Sequence, residues 1–475
     1  MQTEKGGPAK LRALMIAALS GSALAVASIP AGATTADELL KVLRDKGVLT
    51  QDEYEVLAEE RDLEKSNEQA ARKDTLQAKF KDGVVFESDD KSTSISVNGR
   101  IQLDYRDFTS PENSTADTFD MRRVRLGVKG KFFNDYSFDV TGEYSGVTGN
   151  SVIDVAYFDV AWWEAAKFRF GQFKQPMSLE EQTSSRFIDF QERSFVNSAN
   201  FTPGKEQGVM LFGTPTKGVN YGLALSTGEG QNVDDTDNND DNNDIIGRLS
   251  VNFAEVMDDK NAVYHFGGSF SDGELTNVLD PASQRTEGRG ITFFNPTAFN
   301  ARDDVERMRY AFETALAWGP FKFQGEYATA EFEGTSVGGV DFERDMDAYY
   351  VSALWLISGE RYADSYKGGK FERIIPKSNF VHPSAGLGGA WEIGVRYSDF
   401  DASDFQPTNP AGTGVLTTAF SNKADAWTVG LKWIVNPYTR FMLNYVRTDF
   451  DTPVTLAGDT FNDEDAITFR GQFDF

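Results

Sequence analysis

From Ser94 onward the chain alternates apolar and polar residues. Ile95, Val97, Ile101, Leu103 and Tyr105 fall on one face, and Ser96, Asn98, Arg100, Gln102 and Asp104 on the other. A strand with one apolar and one polar face needs lipid or a core against the first and water against the second. The period of two recurs to the last residue. It predicts strands over 94–105, 122–132, 136–144, 152–162, 166–173, 207–214, 217–227, 244–254, 262–271, 306–318, 320–331, 344–358, 389–400, 424–434, 439–449 and 466–475. These number sixteen, an even count, as a bacterial barrel with both ends in the periplasm requires. Most have the roughly 9–11 residues a tilted strand needs to cross the hydrocarbon layer.

The connections test this independently. After strands 2, 4, 6, 8, 10 and 14 they are short: Phe133–Asp135, Trp163–Ala165, Pro215–Thr216, Glu255–Asn261, Gly319 and Val435–Tyr438. After odd strands they are mostly long: 106–121, 174–206, 228–243, 272–305, 401–423 and 450–465. Short periplasmic turns and long outer loops are the mark of a transmembrane barrel. The exception is 359–388, a long link on the periplasmic side. The last strand shares Ile467, Phe469, Phe473 and the terminal Phe475 on one face, while Trp162, Trp318 and Trp433 sit at strand ends as an interface girdle would. The expected fold is all-β: a 16-stranded antiparallel transmembrane β-barrel over 94–475 with a short N-terminal periplasmic helical or coiled-coil segment.

Two segments precede it. Lys5, Lys10 and Arg12, then apolar Leu14–Ile29, then Ala31-Gly32-Ala33 read as a signal peptide over 1–33, cut after Ala33. That address and the barrel together place the mature chain in the outer membrane of a Gram-negative cell. Residues 34–81 change period. Leu39, Leu40, Val42 and Leu43 make a helical stripe, Gly47 breaks it, and Thr50 with Glu53 reads as a capping box for a second helix carrying Tyr54, Leu57 and Ala58. This arm is read either as a helical hairpin with a short coiled coil that helps assemble a trimer, or as a solvated leader.

Composition narrows the chemistry. There are 38 Phe, which favour strands and lipid-facing surfaces, and no Cys, which excludes disulfides and thiolate sites. With only two His, His265 and His382, and no evident Ser and acid beside either, a hydrolase is not expected, nor is any cofactor. The net charge of −26 argues against nucleic acid and fits a barrel exterior bridged to lipopolysaccharide by divalent cations. Asp234, Asp237 and Asp240 lie in a run dense in oxygen ligands. They are a weak calcium candidate set against an ordinary solvated outer loop.

Alternation also assigns the lumen. Arg100, Arg123, Arg125, Lys129, Lys131, Arg169, Arg248, Arg309, Arg396 and Arg470 face in, with Asp104, Asp139, Glu143, Glu313, Glu326 and Glu392 among them. Such a set either draws small anions through a positive path or braces a wet interior with ion pairs. The third outer loop, 174–206, is too long for a turn, and its likeness to the third loop of 16-stranded porins implies that it folds inward as a constriction. Thr183, Ser184 and Ser185 would offer hydroxyls, Arg186 and Arg193 positive charge, and Glu180, Glu181 and Glu192 opposing charge.

Over 94–475 the chain resembles the phosphate-selective porin O and P family. The resemblance rests on Asn98–Tyr105, Arg122–Leu126, Phe170–Phe173 leading to Leu179-Glu180 and Thr183–Arg186, and Ala390–Glu392. It implies a homotrimer of 16-stranded barrels that pass small anionic solutes along an arginine ladder to a lysine-bearing constriction. By this resemblance Arg100, Arg122 and Arg123 match ladder positions, Arg186 a constriction lysine and Asp154 a carboxylate near the central site. Glu181 and Ser137 stand where phosphate-binding members carry lysines, which weakens the case for phosphate itself. A weakly selective general pore and an envelope-tethering barrel are the remaining alternatives.

Overall fold

The computed structural model describes residues 36–73, 76–80, 83–109, 117–145, 153–233, 243–275, 278–279, 281–382, 386 and 388–475. The signal peptide and the calcium candidates Asp234, Asp237 and Asp240 lie outside the described residues.

The N-terminal unit carries two helices, α1 (Ala36–Asp45) and α2 (Gln51–Lys73). Gly47 takes a φ of 71° in the turn between them. The capping box forms: Thr50 N–H donates to Glu53 Oε2 at 2.9 Å, and Glu53 N–H returns to Thr50 Oγ1 at 3.3 Å. Helix gives way earlier than the period predicts, because Leu76–Phe80 is already a strand.

The second unit is the barrel. Its strands are β1 (Ser94–Phe108), β2 (Thr118–Phe132), β3 (Tyr136–Glu143), β4 (Ile153–Trp163), β5 (Ala166–Lys174), β6 (Lys205–Thr216), β7 (Val219–Ser226) and β8 (Asp244–Asn252). They continue as β9 (Ala262–Leu275), β10 (Val305–Trp318), β11 (Phe321–Thr335), β12 (Asp341–Leu356), β13 (Ala390–Asp401), β14 (Lys423–Asn436), β15 (Thr439–Leu456) and β16 (Asp459–Asp474). Each pairs antiparallel with the next, and β16 returns to β1 with Phe473 opposite Ile101 and Phe469 opposite Tyr105. Phe475 closes the seam through two backbone bonds with Gly99, at 2.9 and 3.0 Å. Where β16 ends, the strand Val84–Ser88 takes over the same edge of β1, pairing Val84 with Val97, and Leu76–Phe80 pairs outside it.

The predicted apolar faces point outward. Ile101, Leu103, Leu126 and Val128 are exposed on the barrel wall, as lipid contact requires. Trp162 and Trp318 are exposed at strand ends, and Trp391 stacks on Trp433 at 5.1 Å. One outer connection differs from expectation. Residues 450–465 are no loose loop, because β15 and β16 run on to a two-residue turn, Ala457-Gly458, with φ of 53° and 96°. Positive φ at both positions is the hairpin turn that matches strand twist.

The interior differs most from a wet tube. The outer loops 175–204, 281–304 and 402–422 carry Phe195, Phe201, Phe293, Phe294, Phe299 and Phe405, all fully buried, against Phe332, Phe342, Phe400 and Phe450 of the wall. Small inward residues on β10–β14, such as Ala311, Ala328, Ala330, Ala348 and Ala426, make room for them. The Phe excess was expected to face lipid. Much of it instead forms a core inside the barrel, because loops that leave water must bury apolar surface.

Candidate solute pathway

With one side of the lumen filled, open space remains along the other. A cavity of about 610 Å³ is walled by β1–β8, the loop 175–204 and the tip of the periplasmic link between β12 and β13. Twelve Lys or Arg residues and five Asp or Glu residues line it, in a chain whose net charge is −26. Positive charge is therefore gathered on this path and negative charge lies elsewhere.

The loop 175–204 crosses the lumen and is held at many points. Its short helix Leu179–Gln182 begins at Ser178, whose side chain accepts from Glu181 N–H at 3.2 Å. Glu326 on β11 accepts from the Ser178 hydroxyl and from the backbone N–H groups of Leu179 and Glu180, at 2.6, 2.9 and 2.7 Å. Farther along, Lys322 of β11 pairs with Asp189 at 2.6 Å, and Lys432 of β14 donates to Ile188 O at 3.1 Å. Glu192 receives Arg122 at 2.8 Å, Arg470 at 2.8 Å and Arg106 at 3.3 Å. The loop thus folds inward, as predicted, and is anchored to the wall at several points.

Arg122 reaches Glu192 through a break in alternation. Gln102 lies opposite Arg123 but Leu103 lies opposite Met121, so Arg122 is the extra residue of a β-bulge. The bulge turns two consecutive arginines inward, which a strict period of two does not allow.

The candidate residues divide by partner. Arg122 is neutralised as described. Arg125 pairs with Glu143 at 2.6 Å and also with Asp154. Asp154 also holds Lys205 at 2.6 Å. Lys129 pairs with Asp139 at 2.9 Å, and Arg169 with Asp159 at 2.7 Å. Arg193 pairs with Glu181 at 3.2 Å. Arg100, Arg123 and Arg186 are different. Arg100 donates to Ser185 Oγ at 2.8 Å, Arg123 to Gln102 Oε1 at 3.0 Å and Arg186 to Asn98 Oδ1 at 2.9 Å. None of the three has an ion-pair partner among the described residues, and all three line the cavity. Arg100 Nε is buried with no partner there.

The constriction residues sit beside them. Ser185 also accepts Gln102 Nε2 at its carbonyl, at 3.0 Å. Ser184 Oγ accepts Arg186 N–H at 3.4 Å, and the Thr183 carbonyl accepts Arg193 at 2.9 Å. Glu181 does not stand as a bare negative charge: Lys174 lies at 3.3 Å, Arg193 at 3.2 Å, and Asn197 donates at 2.8 Å. Burial pushes its carboxyl up, but Arg193 and Lys174 outweigh that and hold it down at about 2. Ser137 lies 3.5 Å from Asp159.

The long periplasmic link was missed as a lumen element. Its hairpin Tyr366–Phe371 turns inward: Tyr366 OH meets His265 Nδ1 at 2.6 Å, and Arg248 donates to Gly369 O at 3.0 Å. It adds Lys370, Phe371 and Glu372 to the cavity lining. Tyr362, Phe371 and Ile374, apolar residues in a link otherwise bound for water, are the signal that marks it.

Three comparisons bear on this arrangement. The model of the family described as phosphate-selective porin O and P matches residues 95–475. Porin O of Pseudomonas aeruginosa is 25% identical over 429 residues, spanning 84% of this chain and 92% of that protein. Among solved structures, the trimer form of in-vitro folded OmpT from Vibrio cholerae has a TM-score of 0.51 at 12% identity, covering 81% of this chain and 100% of that one. The outer-membrane expressed OmpT of the same organism has a TM-score of 0.50 at 10% identity, covering 81% and 98%. These two likenesses concern the fold, a transmembrane barrel, and with the family match they make the molecule a channel. The chain belongs to the phosphate-selective porin O and P family and is an outer-membrane porin.

Proposed function

We propose that the protein is an anion-selective diffusion pore whose selectivity rests on Arg100, Arg123 and Arg186. The observation that carries this is the pairing pattern. Nearby cations are cancelled by acids, whereas these three guanidinium groups bond only neutral oxygens and keep their charge at the loop that narrows the path. A fixed charge in a narrow, partly desolvated passage attracts counter-ions far more strongly than one in open water. Arg125, Lys129, Arg169 and Arg193, each with its acid, shape the wall, and Asp154 ties Arg125 to Lys205. No catalytic role is assigned to any residue.

The assembly belongs to the same reading. The mature chain forms a homotrimer, as the trimeric OmpT relative does, after removal of the signal peptide 1–33, with the arm 34–81 in the periplasm. Its outer surface engages lipopolysaccharide. Asp399, Asp425, Asp449 and Asp463 oppose one another in register across β13–β16, and Arg447 neutralises only part of the row. Like charges directly opposed are destabilising, and divalent cations shared with lipid phosphates relieve that.

The test of selectivity is the reversal potential of the purified protein in a planar bilayer under a salt gradient. An anion-selective sign supports the reading, and a cation-selective sign overturns it.

A further inference from the structure

The cavity has two unlike walls. On one side, from β1, β2 and the inward loop, stand the uncancelled guanidinium groups of Arg100, Arg123 and Arg186. On the other, from β4, β6 and the periplasmic link, stand Tyr157, Met210, Phe212 and Phe371. The cations on that second side are mostly spent. Arg169 is paired with Asp159 and lies 3.8 Å over the Tyr157 ring, Lys205 is paired with Asp154, and Arg248 with Glu313 at 2.5 Å.

A tetrahedral inorganic oxyanion gains little from such a chamber. It needs donors on several sides at once, and it has no apolar surface to bury against the facing wall. A planar carboxylate suits a guanidinium fork, and an apolar body behind it suits Met210 and Phe212. The volume, about 610 Å³, also lies within the roughly 300–1,000 Å³ of pockets that hold organic ligands.

We propose that this chamber is a binding station for small organic anions with a carboxylate head and an aromatic or aliphatic body, in preference to inorganic phosphate. The inference rests on the anion-selective reading above and names the class of solute. The head sits against Arg100 and Arg123, and the body lies against Phe212 and Met210. Lys370 and Glu372, at the tip of the link, line the chamber from the periplasmic side.

The experiment measures block of chloride current through the full mature protein in planar bilayers by benzoate, acetate and inorganic phosphate, each titrated separately. The expected result is half-block by benzoate at about tenfold lower concentration than acetate, the gain from burying part of a ring, and lower than phosphate. In Phe212→Ser the benzoate-to-acetate ratio falls toward one, while in Arg100→Gln both half-block concentrations rise together and the ratio persists. An anion-selective channel on which benzoate is no tighter than acetate, or on which phosphate is tighter than benzoate, overturns the inference and leaves the pore reading standing. A cation-selective channel overturns both. The wild-type comparison decides the matter even if a variant fails to assemble.

Discussion

The three arginines to which the proposal assigns selectivity are each held by a different neutral partner. Replacing Arg123 with Gln removes a charge without emptying the site, since Gln can still meet Gln102. The expected result is a fall in the anion-to-cation permeability ratio of about threefold, equivalent to roughly 0.7 kcal/mol, read from the shift in reversal potential. Replacing Arg125, which Glu143 and Asp154 already neutralise, would instead leave buried Glu143 uncompensated and Asp154 with Lys205 alone. That change lowers anion preference through the acid it frees. Glu181 gives a prediction in pH. Its folded carboxyl, held near 2 by Arg193 and Lys174, lies below its unfolded value. The stability it contributes is therefore fully present above the ordinary carboxylate range and is lost only as pH falls toward 2. Single-channel noise from this loop should stay flat between pH 7 and pH 4 and rise below about pH 3. A rise already at pH 5 would mean the Lys174–Glu181–Arg193 cluster does not hold the loop.

At the scale of elements, the inward loop behaves as part of the wall because β11, β14, β16, the β2 bulge and β13, whose Arg396 donates to Glu192 O at 3.2 Å, all grip it. Among these grips Glu192 meets three arginines, Arg106, Arg122 and Arg470. Removing one member of a buried charge network costs about 3–5 kcal/mol. Glu192→Gln is expected to lower the urea midpoint of the folded barrel and to produce closures in single-channel records, whereas an unchanged midpoint would show that the network carries little. The strands themselves were legible in the sequence, since a one-residue error would put Ile101 or Leu126 in the lumen and Arg100 in lipid. The bulge at Arg122 was not, because two adjacent arginines fit either face until the register of β1 against β2 is known. The lumen core was also hidden. Phe293, Phe294 and Phe299 carry no strand period, and nothing local distinguishes a loop aromatic bound for the interior from one facing lipid. The partnering of Glu181 was equally invisible, as it depends on Lys174 and Arg193 meeting across a folded loop.

For the whole molecule, the organising feature is lateral asymmetry. Phenylalanines from three outer loops occupy the lumen beside β10–β15, and the path is pressed against the basic wall of β1–β8. An acidic chain thereby presents a basic interior to its solute. The outer surface keeps the acid, and its in-register carboxylates predict a dependence on divalent cations. Chelation should lower the melting temperature of the protein in lipopolysaccharide-containing membranes and leave it unchanged in detergent. An equal effect in both would place the cations elsewhere. The central claim is that Arg100, Arg123 and Arg186 outweigh every acid along the path. The reversal potential under a potassium chloride gradient tests it most directly. A potential on the chloride side, shifted toward zero in Arg100→Gln, is the predicted result, and a potential on the potassium side would contradict it.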